Sequence, residues 1–161
     1  MNERLLRASR SPLAAALLRW ILGLIFLYAG FAKVLDPTGF AQAVDNYRLL
    51  PGWLVYPAAV FLPWVEVVVG LSLLSGVLLR GGALLASGLL GVFAVALFVS
   101  LIRGLDIACG CFSPANGSEK INWLYLARDL LLLGVAAHVL LFDAGRFALR
   151  APRMPFIDHK V

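Results

Sequence analysis

Residues 82–102 read GALLASGLLGVFAVALFVSLI, an unbroken apolar run without a single charged side chain. At about 1.5 Å per residue the run is long enough to cross about 30 Å of hydrocarbon. Three more runs of similar length lie at about 13–35, 55–79 and 123–142. The whole chain has 161 residues, of which 61% are hydrophobic and only 14% charged, with a mean hydropathy of +0.90. A soluble domain of this size has too much surface for its volume to hide so many apolar side chains, so lipid must cover them. The expected fold is an all-α integral membrane protein, a four-transmembrane-helix bundle. Residues 1–161 form one membrane domain, and 143–161 make a short basic cytoplasmic tail.

The net charge of +5 does not indicate nucleic acid, because the basic residues form no patch with interleaved aromatics. They cluster at the ends of the apolar runs, where they act as topology signals. Arg4, Arg7, Arg10, Arg19, Arg80, Arg146, Arg150, Arg153 and Lys160 fall on one side, with both termini and a turn at Arg80-Gly81. Lys33, Arg48, Arg103, Lys120 and Arg128 fall on the other. The positive-inside rule then puts the termini in the cytoplasm, N-in and C-in, and turns 36–54 and 103–122 outward. Arg19 and Lys33 interrupt the first run, near enough to its ends to snorkel toward headgroups. Trp20, Trp53 and Trp123 sit where interfacial aromatics belong. A cleaved signal peptide ending near Gly30-Phe31-Ala32 is disfavoured, since the apolar run exceeds a usual signal core.

Asp36-Pro37 is a helix start, and Phe40, Val44 and Tyr47 follow at helical spacing. A short amphipathic outer helix is therefore expected between the first two spans. Ser72-x-x-x-Gly76 and Ser87-x-x-x-Gly91 are candidate sites of close helix packing, or ordinary membrane composition.

Cys109-Gly110-Cys111 holds the only cysteines, on the side where disulfides persist. In extended chain the two Cα atoms would be about 6.5 Å apart, near the upper limit for a bridge, and Gly110 permits a tighter bend. A bridge closing so small a ring restricts the unfolded chain very little, which weakens a purely stabilising role. Unreactive thiols and a soft site for Cu(I) remain alternatives to redox activity. Zinc lacks ligands on that side, because His138 is deep toward the inner leaflet and His159 is cytoplasmic. Arg103 and Lys120 flank the loop and favour thiolate, and Asp106 opposes them.

Glu66 lies inside the second span, where a charge costs about 2.5 to 3.5 kcal/mol on insertion scales. It needs a partner or a proton. Arg128 is at a depth where the two can meet, with Asp129 beside it and Lys33 closing the first span. The cluster reads either as a salt bridge that locks helices together or as a polar centre that relays protons or holds a quinone headgroup.

These residues resemble the MauE branch of the DoxX-like membrane proteins. The likeness is carried by Gly30-Phe-Ala-Lys-Val-Leu-Asp36, Phe40 through Tyr47-Arg-Leu-Leu-Pro51, and Leu62-Pro-Trp-Val-Glu66 with Gly70. Cys109-Gly-Cys-Phe112 and Trp123 with Arg128-Asp129 complete it, and Ser113 stands where many relatives have glycine. MauE proteins are linked to maturation of the disulfide-rich small subunit of methylamine dehydrogenase, alongside a thioredoxin-like partner. The DoxX name comes from a subunit of a thiosulfate:quinone oxidoreductase. The resemblance implies redox work on sulfur at a bacterial cytoplasmic (inner) membrane.

The resulting expectation is a membrane-embedded thiol–disulfide redox protein, or redox-associated subunit, with Cys109 and Cys111 extracytoplasmic and catalytic. Glu66, Arg128, Asp129 and Lys33 support them. Without a second cysteine pair, electrons must pass directly between an extracytoplasmic thioredoxin-like or sulfur-handling partner and a quinone of the lipid bilayer. No metal is assigned. The alternatives are a noncatalytic maturation or assembly factor for an extracytoplasmic redox protein, and a transporter of a small sulfur compound.

Overall fold

The computed structural model describes residues 12–105, 107 and 121–142. These residues form five helices: α1 (Pro12–Leu35), α2 (Pro37–Asn46), α3 (Gly52–Ser75), α4 (Leu79–Ile102) and α5 (Trp123–Phe142). No strand occurs among the described residues. α1, α3, α4 and α5 are each long and apolar enough to cross a membrane. The chain is a multi-pass membrane protein built as a four-helix bundle.

α1 packs most extensively on α3, and α4 on α5, while α3 against α4 and α1 against α5 close the ring. α2 lies over one end, mainly on α3. Asp36 caps α2 by accepting from the Gly39 N–H at 2.9 Å, and Pro37 sits in the first turn, where no N–H is needed. Phe40, Ala43 and Tyr47 point inward, Val44 is half-buried at the edge of that face, and Thr38, Gln42 and Asp45 face out. This is the amphipathic pattern expected between the first two spans. Trp20, Trp53 and Trp123 are all exposed on the outside of the bundle.

The boundaries of the middle spans differ from hydropathy. α3 begins already at Gly52 and stops at Ser75, and the turn falls at 76–78 instead of Arg80-Gly81. Gly76 has φ 73° and donates its N–H to the Ser72 carbonyl, and Leu78 also has a positive φ of 54°. A left-handed residue at the C-terminus ends a helix even where the next residues are apolar. Ser72 Oγ then donates to the Val77 carbonyl at 2.6 Å and fixes the turn. At the other end of the bundle, Asn122 Oδ1 accepts from the Leu124 and Tyr125 N–H groups and starts α5.

Close packing does not use Gly91, where an added Cβ would meet nothing within 4 Å. Gly76 ends its helix, and Ser72 packs closely against Gly82 of α4. The tight crossing is between α1 and α3. A Cβ on Gly70 would lie 2.9 Å from the Gly23 carbonyl oxygen, and one on Gly30 would lie 2.9 Å from the Pro63 carbonyl oxygen. The obstacle at both positions is backbone, which cannot swing aside. Gly70→Ala is expected to destabilise by about 1–3 kcal/mol despite alanine's better helix propensity. Gly91→Ala is expected to be neutral or slightly stabilising. Thermal unfolding in detergent distinguishes them, and equal effects would refute the crossing geometry.

Candidate functional site

The backbone approach at Gly30 and Pro63 holds the antiparallel helices α1 and α3 together beside the site, with Lys33 one turn from the contact in one direction along the bundle and Glu66 one turn from it in the other. Lys33 follows Gly30 by three residues and Glu66 follows Pro63 by three, so each lies on the same face as the contact. Lys33 Nζ donates to both Glu66 carboxylate oxygens, at 2.5 and 2.8 Å. Both side chains are enclosed, with relative exposures of 6% and 4%. The partner of Glu66 is therefore Lys33, where depth along the spans alone points to Arg128. Lys33 does not snorkel either, because the crossing turns it inward. Arg19, also expected at the headgroups, is completely buried in α1.

The Lys33 ammonium lies 5.0 Å from the Phe40 ring centroid and 5.1 Å from that of Phe93. Aromatic faces attract a desolvated cation and shield it from lipid. Nothing in the sequence marks either phenylalanine as functional, and only the convergence of α2 and α4 on Lys33 reveals them. Arg128 and Asp129 of α5 line the same small cavity as Lys33 and Glu66, so all four predicted polar residues meet at one centre. The Arg128 guanidinium lies 5.1 Å from the Tyr125 ring centroid. His138 stacks at 4.8 Å on Phe142 in a packing role.

Above this centre, Tyr47 at the end of α2 is buried with Leu97, Ile121 and Leu126, and Ile107 packs against them. Burial, helped by the nearby Asp129 carboxylate, pushes the Tyr47 phenol up to about 12. A phenol that ionises near 10 when unfolded and near 12 when folded contributes stability in full below pH 10, and that stability is lost as pH rises toward 12. Alkaline unfolding should therefore weaken the protein by up to about 3 kcal/mol across that window. Tyr47→Phe is expected to flatten the dependence, and an unchanged profile in detergent melts would sink the assignment.

Ile107 and Ile121 bracket the segment that holds the cysteines. The Ile121 N–H donates to the Ile107 carbonyl at 2.9 Å, so both ends of that segment are held together beside Tyr47. Cys109, Cys111, Asp106 and Lys120 lie outside the described residues. Arg103 reaches toward the Tyr47 carbonyl at 3.5 Å. An apolar groove of about 850 Å³ runs along α3 and α4 beneath α2, with Phe93 and Leu89 forming a wall that it shares with the polar cavity.

A family model described as methylamine utilisation protein MauE matches residues 11–142. The chain belongs to the MauE family. It is 36% identical over 127 residues to the methylamine utilization protein MauE of Paracoccus denitrificans, covering 78% of this chain and 67% of that relative. The MauE of Methylophilus methylotrophus is 33% identical over 129 residues, covering 80% and 68%. That of Methylorubrum extorquens is 35% identical over 120 residues, covering 73% and 63%. No solved structure matches. The matched MauE region contains the α1–α3 crossing, the polar centre and the segment with Cys109 and Cys111.

Proposed function

We propose that this MauE-family protein serves methylamine utilisation as a membrane thiol–disulfide redox protein. Cys109 and Cys111 cycle between dithiol and disulfide on the extracytoplasmic side of the inner membrane. On oxidation the two thiols form one S–S bond and give up two electrons and two protons, which reduce a membrane quinone to its quinol. The disulfide in turn oxidises a thiol pair on a thioredoxin-like or sulfur-handling partner, and the dithiol is restored.

The observation that carries this reading is the rooting of the cysteine segment. Ile107 and Ile121 are joined by a backbone hydrogen bond and packed beside Tyr47, close above Asp129. Cys109 follows Ile107 by two residues, so the covalent chain keeps their Cα atoms within about 7 Å. The apolar groove along α3 and α4 gives a membrane-soluble acceptor a nearby berth. Trapping thiols in intact membranes with a mass-adding alkylating agent tests the proposal. The pair is expected to change state when respiration is blocked, and a pair locked in one state would refute redox cycling.

The second reading is a noncatalytic assembly factor, and the relatives' place in methylamine utilisation fits it equally well. Transport gains little support, because the cavity at Glu66, Arg128 and Asp129, about 40 Å³, is of water size.

A further inference from the structure

Lys33 and Glu66 on one side and Arg128 and Asp129 on the other line a partly open cavity of about 40 Å³ within the bundle. Its remaining wall is apolar, including Phe26, Ala29, Leu90 and Leu132. Asp129 is 7% exposed, and its Oδ2 is buried with no hydrogen-bond partner among the described residues. A carboxylate oxygen left in that state is costly, and buried polar groups of this kind are satisfied by protein donors or by ordered water.

Charge and size decide what fits. Two cations and two carboxylates line the space, so it has no net attraction for an ion and suits a neutral hydrogen-bonding ligand. A water needs roughly 10–15 Å³ of such space and two to four polar partners, and both conditions are met here. The lining groups also have bonding capacity to spare. Lys33 uses two of its three N–H donors on Glu66, and each Glu66 oxygen keeps a second lone pair after accepting from Lys33.

We infer that this cavity holds a small cluster of ordered waters bridging Asp129 Oδ2 to the Lys33–Glu66 pair, and that the cluster is an internal proton link between α5 and α3. Once the Asp129 carboxylate has taken up a proton, it passes that proton to a water, which releases one of its own to a Glu66 oxygen. One proton has moved, the water is unchanged and no electron is transferred. The inference stands on the cavity and does not depend on thiol chemistry. Where the proposed redox cycle operates, the link lies close beneath the cysteine segment, on the side where dithiol oxidation releases protons.

The test uses the full-length protein in lipid nanodiscs, with water itself as the probe. Radiolytic hydroxyl labelling oxidises side chains beside bound water even when they are buried. Leu90, which faces the cavity, is expected to label several-fold faster than Leu73, which is enclosed in the core away from it. Ala29→Leu fills the cavity and should remove that difference, with exposed Trp53 labelling unchanged. Equal labelling of Leu90 and Leu73 in the unaltered protein overturns the water cluster and needs no variant to fold. For the link, the Glu66 carboxylate stretching band, which shifts when the Lys33 and water hydrogens bonded to it become deuterium, is followed after transfer to heavy water. Asp129→Asn is expected to keep the labelling of Leu90 and to slow the Glu66 shift several-fold. Unchanged exchange in that variant would overturn the proton link.

Discussion

Lys33→Met is expected to destabilise the protein by about 3–5 kcal/mol, the usual cost of removing one partner from a buried ion pair. The apolar stem is kept, so packing changes little and the loss comes from charge. Glu66 would remain enclosed, its side chain only 4% exposed, with no ammonium beside it, and must then be buried charged or take up a proton. The companion variant Glu66→Met strands Lys33 between Phe40 and Phe93 and should cost a similar amount, moderated by the two rings. The double replacement is expected to recover most of the stability, since well-packed apolar residues often replace a buried pair at little cost. Reversible unfolding in detergent completes the cycle, and a single replacement with no effect would show that the pair is not buried. The double variant also separates lock from function. If it is stable but inactive, the pair does more than hold α1 to α3.

The larger functional effect is expected at the cysteines. Replacing either Cys109 or Cys111 by serine should abolish turnover completely, because a lone thiol cannot form the internal disulfide. The two single variants should nevertheless behave differently. The one that keeps the attacking thiol is expected to accumulate a mixed disulfide with its partner, since the resolving thiol is missing. The other should form none. Non-reducing electrophoresis with mass spectrometry identifies the adduct and its partner. If the double serine variant sustains growth on methylamine and normal partner abundance, the redox reading fails and the assembly-factor reading takes its place.

Glu66, Lys33, Arg128 and Asp129 are legible in the sequence because ionised groups inside apolar runs are costly and must converge on something. Their pairing is not legible, because depth along a span says nothing about which helix is the neighbour. The clue in the sequence is the repeated spacing of Gly30 to Lys33 and Pro63 to Glu66, which matters only once the two helices are known to touch there. At Gly91 the structure favours the second of the two alternatives, ordinary membrane composition, since small residues allow close approach but do not cause it, and an added Cβ there would meet nothing within 4 Å.

The sequence by itself determined that the chain spans a membrane with four helices, that an amphipathic helix starts at Asp36, and that α5 starts at Trp123. Each of these rests on local quantities: the transfer cost of apolar runs, a capping side chain, or the period of burial along one helix. The tertiary structure alone decided that α1 and α3 cross at Gly23, Gly30 and Gly70, that Lys33 is the partner of Glu66, and that Phe40 and Phe93 enclose it. It also decided that Ile107 and Ile121 root the cysteine segment beside Tyr47. Those outcomes depend on contacts between residues far apart in the chain, and pairwise packing energies of that kind leave no periodic trace in any one segment.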